Sequence, residues 1–337
     1  MEDNVKRSQG RVLKGKASKA KMAASKFLKC DPSELVAEKE KAGYSNIVYK
    51  IIKGGDKYLY KEYLAKTKES MELRWQRFFK SPKILFDCEY YHIDEYIDHV
   101  PLTKELIKDK EIIQNLARAV AEIHSAENVP ECHEMNIFYL NAMKRERSNL
   151  NSRIRFIRFA QICKKIEKKI ECFYSESMFS KDMCICHNDL QFGNILVLPH
   201  MKTKIIDFEH VSINIPTVDI ANLFNEACTN YNMRGAPLLK KQHFIKTNNA
   251  KIFVKEYLDH RGINIPPEKV LQEVEKMLTI PHYYWFIWAT GMLLKNKTQS
   301  GLDYMTFAKY RLQYLEKDNF ITKNNIKELI SFITNSL

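Results

Sequence analysis

Between positions 187 and 209 the chain carries acidic and amide side chains at spacings that suit phosphate chemistry. The run His187-Asn-Asp-Leu-Gln-Phe-Gly-Asn-Ile-Leu196 places Asp189 five residues before Asn194 and leads into an apolar strand. Asp207 ends the next predicted strand, thirteen residues after Asn194. Transfer of a phosphoryl group from ATP needs Mg2+ held by oxygen ligands and a carboxylate that orients the attacking hydroxyl and accepts its proton. We expect Asp189 to be that carboxylate, and Asn194 and Asp207 to bind Mg2+.

A polar turn that uses Asp and Asn for local hydrogen bonds is the alternative for either half of this pattern. The separation of Asp189 and Asn194 equals that in the protein-kinase motif H-R-D-x-x-x-x-N, and an Asp-Phe pair follows the next strand, as in D-F-G. Both halves in the right order favour phosphoryl transfer over a turn. No Ser or Cys nucleophile motif indicates covalent catalysis.

The composition is that of a globular protein with a basic surface. The 337 residues are 45% hydrophobic and 28% charged, with a net charge of +13, and this length favours two structural units. Lysine and arginine are spread along the chain, with mild clusters at 6–29, 143–169 and 240–255. No RNA-binding or zinc-finger motif accompanies them. We therefore interpret the charge as a solvated surface that would also attract ATP or anionic phospholipid, and expect no nucleic-acid partner.

Cysteine usage and apolar segments favour an intracellular protein. The eight cysteines show no CxxC pair and no Cys/His spacing suited to zinc, which favours reduced, buried thiols. The longest apolar run, Tyr283–Leu294, is far shorter than the ~20 residues that span a bilayer. The amino terminus has no apolar core of signal-peptide length. We expect a cytoplasmic protein without stable membrane insertion.

The elements that position the acidic residues fall into a tail, a strand-rich part and a helical part. Residues 1–30 show no clear apolar period and are predicted to form a basic tail that is flexible or partly helical. Residues 31–98 hold strands rich in β-branched and aromatic residues, with Gly54-Gly55-Asp56 as a hairpin turn. Residues 99–337 show mainly helical apolar spacing. This order predicts an α+β protein with a small antiparallel-sheet lobe, a larger mainly helical lobe and a cleft between them.

The run His187–Leu196, with Ile206-Asp-Phe-Glu209, Asn214 and the stretch Asp219-Ile-Ala-Asn-Leu-Phe-Asn-Glu226, resembles choline/ethanolamine kinase. The phosphotransferase motif alone is shared with aminoglycoside kinases, whereas the downstream spacing is more specific. The resemblance covers about residue 35 onward and is weak between 130 and 180. It implies a two-lobed protein-kinase-like fold with an N-terminal ATP-binding lobe. It also implies Asp189 and Gln191 as catalytic residues, and Asn194 and Asp207 as metal ligands.

The amino-terminal lobe agrees with this resemblance, with departures. Gly43-Tyr-Ser-Asn-Ile-Val48 resembles the phosphate-covering loop, with one glycine where the family usually has a pair. Lys61 stands where the family commonly has Arg, and Glu69 matches the helix acid expected to pair with it; a surface ion pair is the alternative. Asp94–Ile97 matches the hinge that holds adenine. The implied ATP-binding residues are Gly43, Ser45, Asn46, Lys61, Glu69, Glu95, Tyr96 and Ile97.

Aromatic residues in the helical part match the family's acceptor pocket. A quaternary ammonium cannot donate a hydrogen bond, so proteins bind it with aromatic faces and a nearby carboxylate. Trp285 and Trp288 are three residues apart on one predicted helix face, and a buried apolar helix is the alternative. The implied acceptor-binding residues are Glu226, Tyr231, Trp285, Trp288, Tyr304 and Phe307. His210 and Phe307 stand where choline kinases often carry Tyr, which leaves the substrate preference open.

The resemblance implies an ATP- and Mg2+-dependent phosphotransferase acting on the hydroxyl of choline or ethanolamine, the first step toward phosphatidylcholine or phosphatidylethanolamine. The partner is then a small-molecule acceptor, and a homodimer is compatible with the sequence. Another small-molecule kinase of the same fold, such as an aminoglycoside phosphotransferase, stays open as an alternative. So does a catalytically inactive kinase-like scaffold, while a nucleic-acid-binding protein is the least favoured.

Overall fold

The computed structural model describes residues 2–40, 47–63, 71–130, 138–230, 238–239, 244–295 and 302–337. The chain divides into two units. The first runs to Val100 and includes Ile206–Phe208, and the second holds residues 101–205 and 209–337. The boundary at Val100 lies close to the one predicted at 98, whereas nothing in the sequence predicts that Ile206–Phe208 joins the first unit.

A five-stranded antiparallel sheet forms the centre of the first unit. Its strands, in the spatial order β1-β2-β3-β5-β4, are β1 (Leu35–Lys39), β2 (Ile47–Lys53), β3 (Asp56–Glu62), β4 (Ile84–Asp87) and β5 (Tyr91–Glu95). Strands β2 and β3 form a hairpin in which Lys53 pairs with Asp56 across Gly54 and Gly55. Gly54 has φ 58°, a left-handed conformation that glycine adopts without steric cost. The predicted hairpin is confirmed.

A long helix, α1 (Glu2–Leu28), precedes the sheet in the part of the chain predicted to be a basic tail. Ala20, Ala23 and Ala24 lie in one buried apolar cluster with Tyr49 and other residues of the sheet. Their spacing of three and four residues puts these small side chains on one helix face. Residues 15–28 are thus helical and pack through this face, which corresponds to the partly helical form of the predicted tail.

Helix α2 (Met71–Phe79) follows β3 in the first unit. Trp75 is buried in this helix and stacks on Phe79 with 5.9 Å between ring centroids. Phe79 stacks in turn on Phe208 at 4.9 Å. This column of three rings holds the segment that carries Asp207 in the first unit.

The second unit is mainly helical. Its helices are α3 (Lys110–His124), α4 (Phe138–Ile154), α5 (Ile157–Glu176), α6 (Pro216–Ala227), α7 (Asn248–Arg261), α8 (Pro267–Met277), α9 (Thr279–Leu294), α10 (Tyr304–Lys317) and α11 (Lys323–Thr334). After β6 (Val100–Pro101) at the boundary, its short strands are β7 (Cys184–Cys186), β8 (Ile195–Val197), β9 (Thr203–Ile205), β10 (Ser212–Asn214), β11 (Thr229–Asn230) and β12 (Leu238–Leu239). β7 pairs with β10 and β8 with β9, both antiparallel.

Helix α9 is buried over most of its length and packs against α4, α6, α8 and α10. Helix α10 begins beside it at Asp303, whose carboxylate caps the helix by accepting the Thr306 N–H at 3.0 Å. An antiparallel sheet in one unit and a helical second unit confirm the predicted α+β class. Among the helices of the described residues, none is long and apolar enough to cross a membrane.

Candidate active site

The loop after strand β7 is fixed by its own asparagine. Asn188 has φ 64°, an uncommon conformation for a residue other than glycine. Its side-chain nitrogen donates to the carbonyl oxygens of Cys186 at 3.1 Å and His210 at 2.9 Å. Its side-chain oxygen accepts from Asn214 Nδ2 at 2.8 Å. These three bonds hold the left-handed turn that immediately precedes Asp189.

Helix α6 supplies a fully buried carboxylate that binds the same loop. Asp219 lies in the first turn of α6, and its Oδ2 and Oδ1 accept the backbone N–H groups of His187 and Asn188, each at 2.8 Å. His124 Nε2 lies 3.0 Å from the same Oδ2. Asp219 therefore positions the loop backbone through two buried, charge-assisted hydrogen bonds.

Two asparagines complete this support. Asn222, one helical turn after Asp219, accepts the Leu190 N–H through Oδ1 at 2.7 Å. Asn214 Oδ1 accepts from the Tyr174 hydroxyl at 2.8 Å, in addition to the bond that Asn214 makes with the loop. Sequence reasoning singled out Asn214 and Asp219 but missed Asn222. Its separation of three residues from Asp219, which puts both on one helix face, was the available signal.

Asp189, Gln191 and Asn194 are in mutual contact. Asp189 is only 5% exposed, and its Oδ2 accepts from Gln191 Nε2 at 3.1 Å and from Asn194 Nδ2 at 3.0 Å. The same Asn194 nitrogen lies 2.9 Å from the Asp189 carbonyl oxygen. Because its nitrogen serves Asp189, the side-chain oxygen of Asn194 is the atom that can bind a cation.

Helices α9 and α10 bring four aromatic side chains together, which we call the aromatic box: Trp285, Trp288, Tyr304 and Phe307. Trp288 is at its centre, with ring centroids 5.4 Å from Trp285, 5.6 Å from Tyr304 and 6.3 Å from Phe307, all in edge-to-face arrangements. Trp288 is the half-buried member and the other three are buried. The buried indole N–H of Trp285 has no hydrogen-bond partner among the described residues.

His210 joins the aromatic box to the loop. Its carbonyl oxygen accepts from Asn188 Nδ2, and its ring lies edge-on to Trp285 at 5.9 Å. Tyr284 makes a second connection between the box and the loop. Its ring lies 5.0 Å from Trp285 and 4.5 Å from Tyr139, whose hydroxyl donates to the Asn188 carbonyl oxygen. Burial raises the pKa of the Tyr284 hydroxyl, and the negative charge of Asp189 raises it further.

Glu226, at the end of α6, is paired with a buried arginine. Arg311 Nη2 lies 3.4 Å from Glu226 Oε1, and each residue is 3% exposed. The guanidinium also lies 4.6 Å from the Phe307 ring centroid and 3.2 Å from His282 Nδ1. Burial raises the pKa of Glu226, and Arg311 acts in the opposite direction. The carboxylate expected to face the acceptor's positive charge therefore already has a cationic partner, which the sequence analysis missed.

In the first unit, Lys61 lies between two carboxylates. It is on β3, and its Nζ pairs with Glu72 in the first turn of α2 and lies 3.5 Å from Asp207 Oδ1. Asp207 has φ 68°, a left-handed conformation that costs energy for an aspartate. Glu69, the predicted partner of Lys61, lies outside the described residues, and within them Glu72 makes the pair. A Lys–Glu pair of this kind holds the phosphate-binding lysine of protein kinases.

The predicted hinge, Asp94–Ile97, begins with the last two residues of strand β5. The Glu95 backbone N–H donates to the Lys83 carbonyl oxygen at 2.9 Å. Lys50 and Lys57 lie over the Tyr96 ring at 5.6 and 5.7 Å, and the Ile97 carbonyl oxygen is 2.7 Å from His99 Nδ1. The assignment of Glu95, Tyr96 and Ile97 to adenine stays a prediction. Four other predicted site residues, Gly43, Ser45, Asn46 and Tyr231, lie outside the described residues.

Comparison with known proteins places this geometry in a family. The sequence model of the family described as choline/ethanolamine kinase matches residues 42–316. The chain belongs to the choline/ethanolamine kinase family. It is 31% identical over 144 residues to probable choline kinase 2 of Arabidopsis thaliana, a match that covers 41% of each chain. It is 25% identical over 279 residues to choline kinase A2 of Caenorhabditis elegans, covering 69% of this chain and 64% of that protein. Both matches thus span less than two thirds of the relative's length.

Among solved structures, a choline kinase from Cryptosporidium parvum is similar, with a TM-score of 0.69 at 20% identity, covering 90% of this chain and 95% of that one. This similarity confirms the predicted protein-kinase-like fold. Within this choline/ethanolamine kinase family member, Tyr139 is a further residue that sequence reasoning missed, because its hydroxyl donates to the Asn188 carbonyl oxygen. It lies in the stretch where the resemblance is weak, and no motif there indicates its role.

Proposed function

We propose that this chain transfers the γ-phosphate of ATP to the hydroxyl of choline or ethanolamine. The observation that carries the proposal is the connection from the aromatic box to the loop through His210. Its ring lies 5.9 Å from Trp285 while its carbonyl oxygen binds the side chain of Asn188, the residue before Asp189. A pocket for an organic cation and a buried carboxylate thus belong to one connected structure. Family membership supports the same reaction.

The acceptor's cationic head would be held by the box. Trp285 and Trp288 present aromatic rings to a cation, an attraction of about 0.5–2 kcal/mol for each well-placed ring. Tyr304 and Phe307 complete the walls. Because Glu226 is neutralised by Arg311, we assign most of the attraction for the cation to these rings and only a minor part to Glu226.

Asp189 would orient the acceptor hydroxyl and take its proton as the bond to phosphorus forms. Gln191 and Asn194 donate to one oxygen of Asp189, Oδ2, so the carboxylate is held in one orientation. Burial of the Asp189 side chain keeps bulk water away from it. The proton moves from the acceptor oxygen to this carboxylate, and the acceptor oxygen replaces the ADP oxygen on the γ-phosphorus.

The phosphates of ATP would be bound by Lys61 as a point charge, with Glu72 holding its ammonium group in place. The side-chain oxygen of Asn194 and the carboxylate of Asp207 are hard oxygen donors of the kind that Mg2+ takes, so both residues fit the cation. When bound, Mg2+ would neutralise charge on the β- and γ-phosphates. A cytoplasmic location and a homodimer stay predictions.

The test is ADP release from Mg-ATP with choline, ethanolamine, an aminoglycoside or no acceptor. We expect either amino alcohol to stimulate turnover, the aminoglycoside to have no effect, and Asp189→Asn to lower turnover at least ~100-fold, the lower range for a removed general base. ATP affinity should be retained in the variant. Asp182→Asn, at an exposed carboxylate outside the loop, is the matched control and should turn over normally.

Stimulation by the aminoglycoside alone would assign a different acceptor. Turnover by Asp189→Asn equal to that of the unaltered chain would remove Asp189 from the role of base. Absence of any acceptor-stimulated ADP release would favour the inactive scaffold.

A further inference from the structure

Strand β7, which leads directly into the loop that carries Asp189, begins and ends with a cysteine. Cys184 and Cys186 are two residues apart on an extended strand, so their side chains leave the same face. Their Sγ atoms are 3.7 Å apart. Cys184 is half-buried, whereas Cys186 is fully buried. Seven cysteines in the described part of the chain are free thiols, and this close pair has no role in the proposed reaction.

The surroundings of the pair favour a thiolate at Cys184. Arg261 Nη1 lies 3.9 Å from its sulfur, and a ring nitrogen of His124 lies within 4.8 Å of both sulfurs. The hydrogen bond with Cys186 lowers the pKa of the Cys184 thiol most, burial acts in the opposite direction, and the nearby Arg261 guanidinium lowers the pKa further. Burial raises the pKa of the Cys186 thiol. Cys184 therefore carries the reactive sulfur, and Cys186 remains a thiol that can react in a second step.

We propose that Cys184 and Cys186 are a redox modification site, in which a hydroperoxide converts the pair to a disulfide. The Cys184 thiolate attacks one oxygen of the hydroperoxide, the O–O bond breaks, and Cys184 becomes a sulfenic acid while the leaving oxygen takes up a proton. The Cys186 sulfur then attacks the Cys184 sulfur. The S–S bond forms, the S–O bond breaks, and water leaves with the Cys186 proton. Two thiols are oxidised by two electrons, and the hydroperoxide is reduced.

The disulfide would change the loop that follows. Its sulfurs must approach from 3.7 Å to about 2.05 Å, with backbone movement where the side chains alone cannot reach. Cys186 is the residue that can transmit this movement, because its carbonyl oxygen binds Asn188 Nδ2 and the next N–H, of His187, binds Asp219. We expect the oxidised strand to disturb the position of Asp189. This consequence for turnover rests on the proposed phosphotransfer, whereas formation of the disulfide does not.

The test uses the full chain, treated with hydrogen peroxide, then alkylated and digested with trypsin. Cleavage after Lys181 and Lys202 gives peptide 182–202, which holds only these two cysteines. We expect this peptide to take two alkyl groups before peroxide and none after it, and to recover both after dithiothreitol. Turnover should fall in step with the cross-linked fraction and return with the reductant. Peptide 170–181, whose only cysteine is the exposed Cys172, is the internal control and should take one alkyl group both before and after peroxide.

Two variants separate the steps. In Cys186→Ser the sulfenic acid at Cys184 has no resolving thiol, so a 1,3-diketone reagent should label Cys184. In Cys184→Ser peroxide should neither cross-link the peptide nor lower turnover, while thermal unfolding verifies the fold of both variants. Alkylation of both thiols after peroxide, or diketone labelling of Cys186 in Cys184→Ser with no labelling of Cys184 in Cys186→Ser, would overturn the proposal. So would copurification of zinc bound by the pair in stoichiometric amount. A cross-link that leaves turnover unchanged would overturn the coupling to the loop only.

Discussion

The loop that carries Asp189 and the aromatic box belong to the same unit but are held by different forces. The loop backbone is bound by side chains that accept its N–H groups, among them Asp219 for His187 and Asn188. The aromatic box is held by ring contacts at 5.4 to 6.3 Å between centroids. Hydrogen bonds fix both distance and direction, whereas packed rings tolerate small changes in position.

This difference predicts how each region should respond to substitution. A buried N–H that loses its acceptor costs ~1–3 kcal/mol. A lost ring removes one wall of a pocket and leaves the others. We therefore expect a single substitution among the residues that bind the loop backbone to abolish turnover, and a single substitution in the aromatic box to lower activity only in part.

The largest effect is expected for Asp219→Asn. The amide keeps one acceptor oxygen but presents N–H donors to a backbone N–H, so a buried donor is left unpaired and the negative charge is lost. We expect the free energy of unfolding to fall by about 3–5 kcal/mol and turnover to be nearly lost, measured by urea denaturation and ADP release.

Asp109→Asn is the matched control for Asp219→Asn. Asp109 also accepts two backbone N–H groups, those of Glu111 and Ile112, but it is an exposed helix cap. Asparagine caps a helix about as well as aspartate, so stability should change by less than about 0.5 kcal/mol. Equal losses of unfolding free energy in the two variants would show that the buried hydrogen bonds of Asp219 contribute no more to stability than those of a surface helix cap.

How far apart in the chain two contacting residues stand decides whether the sequence could predict their contact. Asp189 and Asn194 stand at a fixed spacing because one short loop must place both side chains, so their contact is readable from the chain. Arg311 reaches Glu226 from 85 residues away, and no local rule predicts such a pair. The aromatic box is intermediate, since a spacing of three predicts that Trp285 and Trp288 share a face but not which rings of α10 meet them.

In the first unit the sequence did not determine which acidic residue pairs with Lys61. Lys61 was expected to pair with Glu69, which lies outside the described residues, and among the described residues it pairs with Glu72. Glu69 and Glu72 are three residues apart in the sequence, so in the predicted helix both would lie on one face and the spacing alone does not choose between them. Helix α1 was foreseen only as part of a tail that is flexible or partly helical, because the alanines that it buries at positions 20, 23 and 24 are too small to give a strong apolar pattern. The fold class, by contrast, follows from the order of strands and helices, which needs no partner to be identified.

An intermediate effect is expected beside the aromatic box, at Glu226 and Arg311, where the guanidinium lies over the Phe307 ring. Arg311→Met leaves a buried carboxylate without its cation, and Glu226→Gln leaves a buried guanidinium without its anion. Each should lower the free energy of unfolding by about 3 kcal/mol, whereas the double variant should lose clearly less than the sum, because neither charge is then left unpaired. Urea denaturation of the four proteins gives the coupling energy. Additive losses would mean that the 3.4 Å contact carries no interaction.

The smallest effect is expected for Trp288→Ala, which removes the central ring of the box and leaves Trp285, Tyr304 and Phe307. Loss of about 2 kcal/mol of cation–π attraction corresponds to a rise of roughly 30-fold in KM for the amino alcohol. Since no hydrogen bond of the loop is touched, kcat and the KM for ATP should change little, as steady-state kinetics in both substrates would show. Trp75→Phe is the matched control, because this tryptophan is buried in the first unit and stacks on Phe79; it should affect stability and not the acceptor KM. A fall in kcat as large as the rise in KM would mean that a change in the box also displaces the loop. The contrast between a loop fixed by hydrogen bonds and a box that tolerates small changes in ring position would then be wrong.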